Sequence, residues 1–185
     1  ALVERTWSPD QQRALSAIAA GVQQDDANTH DFLTRFLHVS GRPGVGKTEV
    51  IIHAAHRASQ KGGQVLILCP TGTLVHVYRD RLGDMNGVTV ETIHGAFQIG
   101  RNADKAVKYA PPSRLRRYDL IMLDEASQVD DEVCTRVFIA IRELPQRPFF
   151  VISADFQQLN PIGASKVVRE LCKTIATKDL VTVHR

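Results

Sequence analysis

The chain has 185 residues, 43% of them hydrophobic and 23% charged, which is enough for one substantial core and too little for two large ones. Its longest apolar runs, such as Val65–Cys69, are of strand length, so neither a membrane-spanning helix nor a secretory leader is expected. A formal charge of +3 assigns no partner by itself. Cys69, Cys134 and Cys172, odd in number and without C-x-x-C spacing, exclude a disulfide framework or a zinc site and imply a reducing, intracellular setting in which all three fill the core.

In chain order, Ser8-Pro9-Asp10-Gln11 opens a helix whose buried stripe is Leu15, Ile18 and Val22, with Gly21 near its end. Gln11 has two readings: it closes a capping box with Ser8, or its amide reads the edge of adenine. The polar stretch from Gln23 to Asp31 is a connection. Phe36-Leu37-His38-Val39 is a buried strand, and Glu49–Gln60 is a helix. Between them, Gly41-Arg42-Pro43-Gly44-Val45-Gly46-Lys47-Thr48 matches G-x-x-x-x-G-K-[ST] at every fixed position. Backbone N–H groups and the positive end of the following helix converge there on one anion site. Glycines let the backbone approach phosphate and adopt positive φ. Lys47 reaches the β- and γ-phosphates of a nucleotide such as ATP, and the Thr48 hydroxyl ligates Mg2+.

Gln64–Cys69 is a second strand, apolar enough to be buried on both faces of a parallel sheet. It ends at Pro70-Thr71-Gly72, where Thr71 either contacts a ligand phosphate or caps the helix that runs to Arg81. Val88–Glu91 is a short third strand leading to Thr92-Ile93-His94-Gly95. His94 alone carries no functional argument. From Arg101 to Arg117 six cations face the single acid Asp104, so this segment either follows a nucleic-acid backbone, with Tyr109 stacking on bases, or is a solvated loop.

Tyr118–Glu125 is an apolar strand ending in two acids. Asp124 is placed to hold the ion near Thr48, and Glu125 to orient and deprotonate an attacking water. Asp130 starts a helix carrying Val133, Val137, Ile141 and Leu144, stopped by Pro145. Phe149–Ser153 is another strand, ending at Asp155-Phe156-Gln157-Gln158, where Asp155 and Gln158 either sense the γ-phosphate or serve turn chemistry. Ser165–Ala176 is expected as a helix and Leu180–Val183 as the last strand before His184-Arg185. Strands alternating with helices imply a parallel sheet covered on both faces.

The order of these segments resembles the first motor domain of superfamily 1 DNA helicases, in the PIF/RecD-like branch, and the resemblance covers the whole chain. Gln11 matches that family's adenine-contacting Gln, and Gly41–Thr48 its motif I, including Gly41, Pro43, Gly44, Val45 and Gly46. Cys69-Pro70-Thr71-Gly72 looks like motif Ia and Thr92-Ile93-His94 like motif Ib, both of which contact single-stranded DNA in the family. Asp124-Glu125-Ala126-Ser127 is similar to motif II. Asp155–Pro161 resembles motif III, whose Gln is Gln158, and Arg185 fits the phosphate-contacting Arg of motif IV. Thr73-Leu74-Val75 and Ala154 depart from the family pattern.

The resemblance implies a RecA-like α/β P-loop NTPase domain spanning residues 1–185, with a small basic insertion at about 100–117 that includes Arg114, Arg116 and Arg117. It also implies ATP and Mg2+ as cofactors, single-stranded DNA as partner and 5′ to 3′ movement. A second motor domain, absent from this chain, is the expected protein partner. We therefore expect a piece of a longer protein, one that binds nucleotide but turns it over poorly and does not unwind a duplex on its own.

Overall fold

In a computed structural model, the described residues are 6–24, 31–42, 45–97, 113–156 and 166–182, with the side chains at 113 and 114 excepted. The element order is α1 (Pro9–Gln23), β1 (Phe36–Gly41), α2 (Lys47–Gln60), β2 (Val65–Cys69), α3 (Gly72–Leu82), β3 (Val88–Thr92) and the single turn α4 (Ile93–Ala96). There follow β4 (Leu120–Leu123), α5 (Asp131–Arg142), β5 (Phe149–Ala154), α6 (Lys166–Thr174) and β6 (Ala176–Leu180). The six strands form one sheet in the order β3-β2-β4-β5-β1-β6, and every pairing is parallel. Short 3-10 turns at Phe32–Arg35, Ser113–Arg117 and Ala126–Gln128 join the larger elements.

The strand sequences dictate a covered sheet. Along β2, Val65, Ile67 and Cys69 face one core with α1, α2 and α3, while Leu66 and Leu68 face a second core with α4 and α5. A continuous apolar run is what a strand buried on both faces requires. The helix starts follow local capping chemistry: Ser8 closes a capping box with Gln11, Asp130 accepts from the Val133 N–H, and Thr71 accepts from Leu74. All three cysteines are free and buried. Among the described residues no helix is long and apolar enough to cross a membrane.

The C-terminal expectation needs correction. Helix α6 ends at Thr174, and the last strand is Ala176–Leu180 rather than 180–183. This strand is polar and mostly exposed because it is a sheet edge, so alternation gave no cue. It pairs Leu37 with Ala176 through Gly41 with Leu180, and the Ser40 hydroxyl donates to Asp179 across the pair. The ladder stops at Leu180 because Asp10, on α1, accepts the next two N–H groups, from Val181 at 2.7 Å and Thr182 at 2.9 Å. The β-branched residues that suggested a strand are thus drawn off the sheet by a carboxylate. Smaller differences are an earlier start of α2, at Lys47, an earlier end of α5, at Arg142, and the unforeseen turn at Phe32–Arg35.

Candidate active site

The sheet order sets β5 between β4 and β1, so three strand ends lie side by side: the acids after β4, Asp155 after β5, and the glycine-rich loop after β1. Gly41 admits no side chain, since a Cβ there would come within 2.5 Å of Val45 and 2.9 Å of the Leu180 carbonyl. At Gly46 the backbone turns through φ 83° immediately before α2, a conformation that glycine reaches freely. Val45 is buried beneath the loop. Pro43 and Gly44 lie outside the described residues.

Lys47, the first residue of α2, is half-buried and donates to the Gly41 carbonyl at the loop's start. Burial pushes its pKa down, and the charges of Asp155, Asp124 and Glu125 oppose that shift. The lysine therefore sits among all three predicted acids. Asp124 is buried and fully oriented: the Tyr78 hydroxyl donates to Oδ2 at 2.6 Å and the Glu125 N–H to Oδ1 at 2.8 Å.

Glu125 follows in a left-handed backbone conformation, φ 47° and ψ 44°, with its side chain at the rim. Desolvation, and after it the Asp124 charge, raise its pKa, while a hydrogen bond with Gln128 and the Lys47 charge oppose the rise. A raised pKa suits a group that must accept a proton near neutral pH. Thr48 and Asp124 supply hard oxygen donors on the phosphate side of the loop, the donor type and small number with which proteins hold Mg2+ when substrate phosphates and water complete the shell.

Gln11 is buried, its carbonyl accepting from the Ser8 N–H at 3.2 Å and its amide donating to the Val45 carbonyl at 3.5 Å. The capping-box reading is thus realised, and the same side chain ties α1 to the phosphate loop. Thr71 and Thr92 likewise act as caps, accepting from the Leu74 and Gly95 N–H groups at 3.3 and 3.1 Å. The starts of α3 and α4 nevertheless lie together beside a groove of about 320 Å3 lined by Gly72, Val75, His76, Arg79, Glu91, Thr92 and Gly95. His94 is exposed nearby but does not line it.

Arg116 and Arg117 are exposed on the turn before β4, with Arg117 5.8 Å from the Tyr118 ring centre. The Arg114 side chain, Gln158, Arg185 and nearly all of the basic stretch lie outside the described residues. Sequence reasoning missed Tyr78, whose bond to Asp124 depends on α3 meeting the end of β4. It also missed the reach of Asp10 to the end of β6; the only available signal was an acid beside a helix cap.

This arrangement is the site of a RecA-like P-loop NTPase domain. A family model described as an AAA domain matches residues 6–185, and the chain belongs to that family. It is 27% identical over 167 residues to the ATP-dependent RecD2 DNA helicase of Deinococcus radiodurans, a match covering 89% of this chain and 22% of that protein. Among solved structures it resembles the Pif1 helicase from Candida albicans, with a TM-score of 0.63 and 17% identity over 98% of this chain and 41% of that one. It also resembles AMPPCP-bound DnaA from Aquifex aeolicus, with a TM-score of 0.56 and 14% identity over 96% and 48% of the two chains. The structural likenesses speak for the fold. The family match and the helicase relative support a helicase-like ATPase domain of the superfamily 1 PIF/RecD-like type.

Proposed function

We propose that this domain binds and hydrolyses Mg-ATP and couples the cycle to single-stranded DNA, as one half of a 5′ to 3′ translocating motor. The observation that carries the reading is the convergence of Lys47 with Asp124, Glu125 and Asp155 at three adjacent strand ends. A cation surrounded by acids at the mouth of a glycine loop is arranged for a phosphate that brings its own metal.

In this reading the loop N–H groups and Lys47 bind the β- and γ-phosphates. Thr48 and Asp124 hold Mg2+, which when bound neutralises charge on the phosphate oxygens. Glu125, at the rim and with a raised pKa, orients a water and takes its proton. Asp155 and Gln158 follow the γ-phosphate, and Gln11 lies against the loop from the adenine side.

A single strand crosses the groove between the starts of α3 and α4, past Thr71, Gly72, Thr92 and His94. Arg114, Arg116 and Arg117 extend the path electrostatically. Arg185 and a second motor domain supply the further charge and the opening and closing that translocation needs. The direction of movement rests on the family resemblance.

The test is calorimetry of ADP and a non-hydrolysable ATP analogue on the 185-residue chain, with and without Mg2+, followed by ATPase assays of the longer parent protein with and without single-stranded DNA. Binding that depends on Lys47, with hydrolysis stimulated by DNA, is the expected result. Hydrolysis indifferent to DNA would favour an ATPase that acts on protein instead.

A further inference from the structure

The Tyr78 phenol is fully buried, yet packing alone does not account for its hydroxyl. Phenylalanine would fill the same space in the core beneath α3. The hydroxyl instead donates to Asp124 Oδ2 at 2.6 Å, inside the candidate nucleotide site. A phenol has one proton to give. That proton is spent on Asp124.

The consequence is directional. Both oxygens of the Asp124 carboxylate are held, Oδ2 by Tyr78 at 2.6 Å and Oδ1 by the Glu125 N–H at 2.8 Å.

We propose that Tyr78 is a positioning residue for magnesium: its hydroxyl sets the rotamer of Asp124, and so pre-forms the carboxylate that receives the metal of a bound nucleotide. The inference rests on the Mg-nucleotide reading given above. It adds to that reading a residue on α3, far in sequence from both ligands. Partners that orient metal ligands in this way are worth roughly 10- to 100-fold in metal affinity.

The experiment compares the parent chain with Tyr78→Phe. Manganese stands in for magnesium, and its binding to the nucleotide-saturated protein is read by electron paramagnetic resonance of the free ion. ADP affinity without metal is measured in parallel. Tyr78→Phe is expected to weaken Mn2+ binding about tenfold and to leave metal-free ADP affinity unchanged. Equal losses in both measurements, or none in the first, would overturn the positioning role.

Should Tyr78→Phe fail to fold, the parent carrying 13C-labelled tyrosine ring carbons decides by nuclear magnetic resonance. Adding Mg2+ to the ADP complex should move the Tyr78 ζ-carbon signal and leave Tyr118 in place. A stationary Tyr78 signal would refute the inference. A parent chain whose ADP binding ignores divalent metal altogether would sink the Mg-nucleotide reading itself, which separates the two failures.

Discussion

Asp10→Ala should destabilise the domain by about 3 kcal/mol through a clamp that joins the two ends of the chain. The Asp10 carboxylate accepts from Gln11 N–H at 2.9 Å, from the Ser8 hydroxyl, and from Val181 and Thr182 N–H at 2.7 and 2.9 Å. Hydrogen bonds to a charged group contribute roughly 1.5–3 kcal/mol each. Because Val181 and Thr182 are exposed, water can replace part of what is lost, and the two long-range bonds are counted at the low end of that range. Such a loss is a large share of a typical folding free energy of roughly 5–15 kcal/mol. Asp10→Asn keeps an acceptor oxygen without the charge and should cost about half as much.

The pH dependence of the same clamp follows from its ionisation. Burial pushes the Asp10 carboxyl upward, but the hydrogen bonds from Ser8, Thr182, Val181 and Gln11 outweigh it and hold the group well below its ordinary value of 3.8. A depressed folded-state pKa gives stability that is complete above the unfolded value, starts to shrink as pH approaches it and is gone only once pH has fallen through the folded value. Urea unfolding should therefore show the parent's advantage over Asp10→Asn intact at neutral pH and shrinking between about pH 5 and pH 3. An Asp10→Ala variant within about 0.5 kcal/mol of the parent, the range of an ordinary surface change, would show that the clamp contributes nothing.

Three other outcomes are expected. Lys47→Ala should abolish measurable nucleotide binding by calorimetry, whereas Glu125→Gln in the longer parent protein should keep binding and lose roughly 100-fold or more in hydrolysis; parental turnover in Glu125→Gln would remove it as the base. Neutralising Arg114, Arg116 and Arg117 together should weaken single-stranded DNA binding and flatten the logarithmic salt dependence of the affinity by up to about 0.7 for each phosphate no longer neutralised; an unchanged slope would make them a solvated surface. Burial lifts the Cys69 and Cys172 thiols to about 12, so neither should react with a thiol reagent at pH 8 until the chain is unfolded, and rapid labelling of the native protein would contradict the packing described.

What was legible in the sequence was what depends on short range. The glycine loop from Gly41 to Thr48, the apolar runs at β2 and β5, and the caps at Ser8, Thr71 and Asp130 each declare themselves within a few residues, because phosphate cradling, two-sided burial and capping are local in cause. The end of β4 at Asp124-Glu125 was readable because a buried apolar run stops there at two acids. The edge strand β6 was not readable. An edge needs only backbone pairing on one side, so Ala176–Leu180 carries no apolar alternation, and the carboxylate that ends it lies 171 residues away. Tyr78 was hidden for a related reason: on α3 its spacing reads as core, and core it is, apart from one oxygen. Gln11 shows the converse case, a single side chain for which spacing allowed two roles and the fold realises the capping one in full.

The left-handed backbone at Glu125 has a consequence for any effort to engineer this domain. An L-residue with a Cβ gives up roughly 1–2 kcal/mol in that conformation, and glycine gives up far less. Directed evolution for heat tolerance would thus be drawn to glycine at position 125, exchanging the proposed base for a more relaxed turn. Melting temperature and turnover would then move in opposite directions at one residue, and a thermostable variant selected without an activity screen would be the one most at risk of having lost its chemistry.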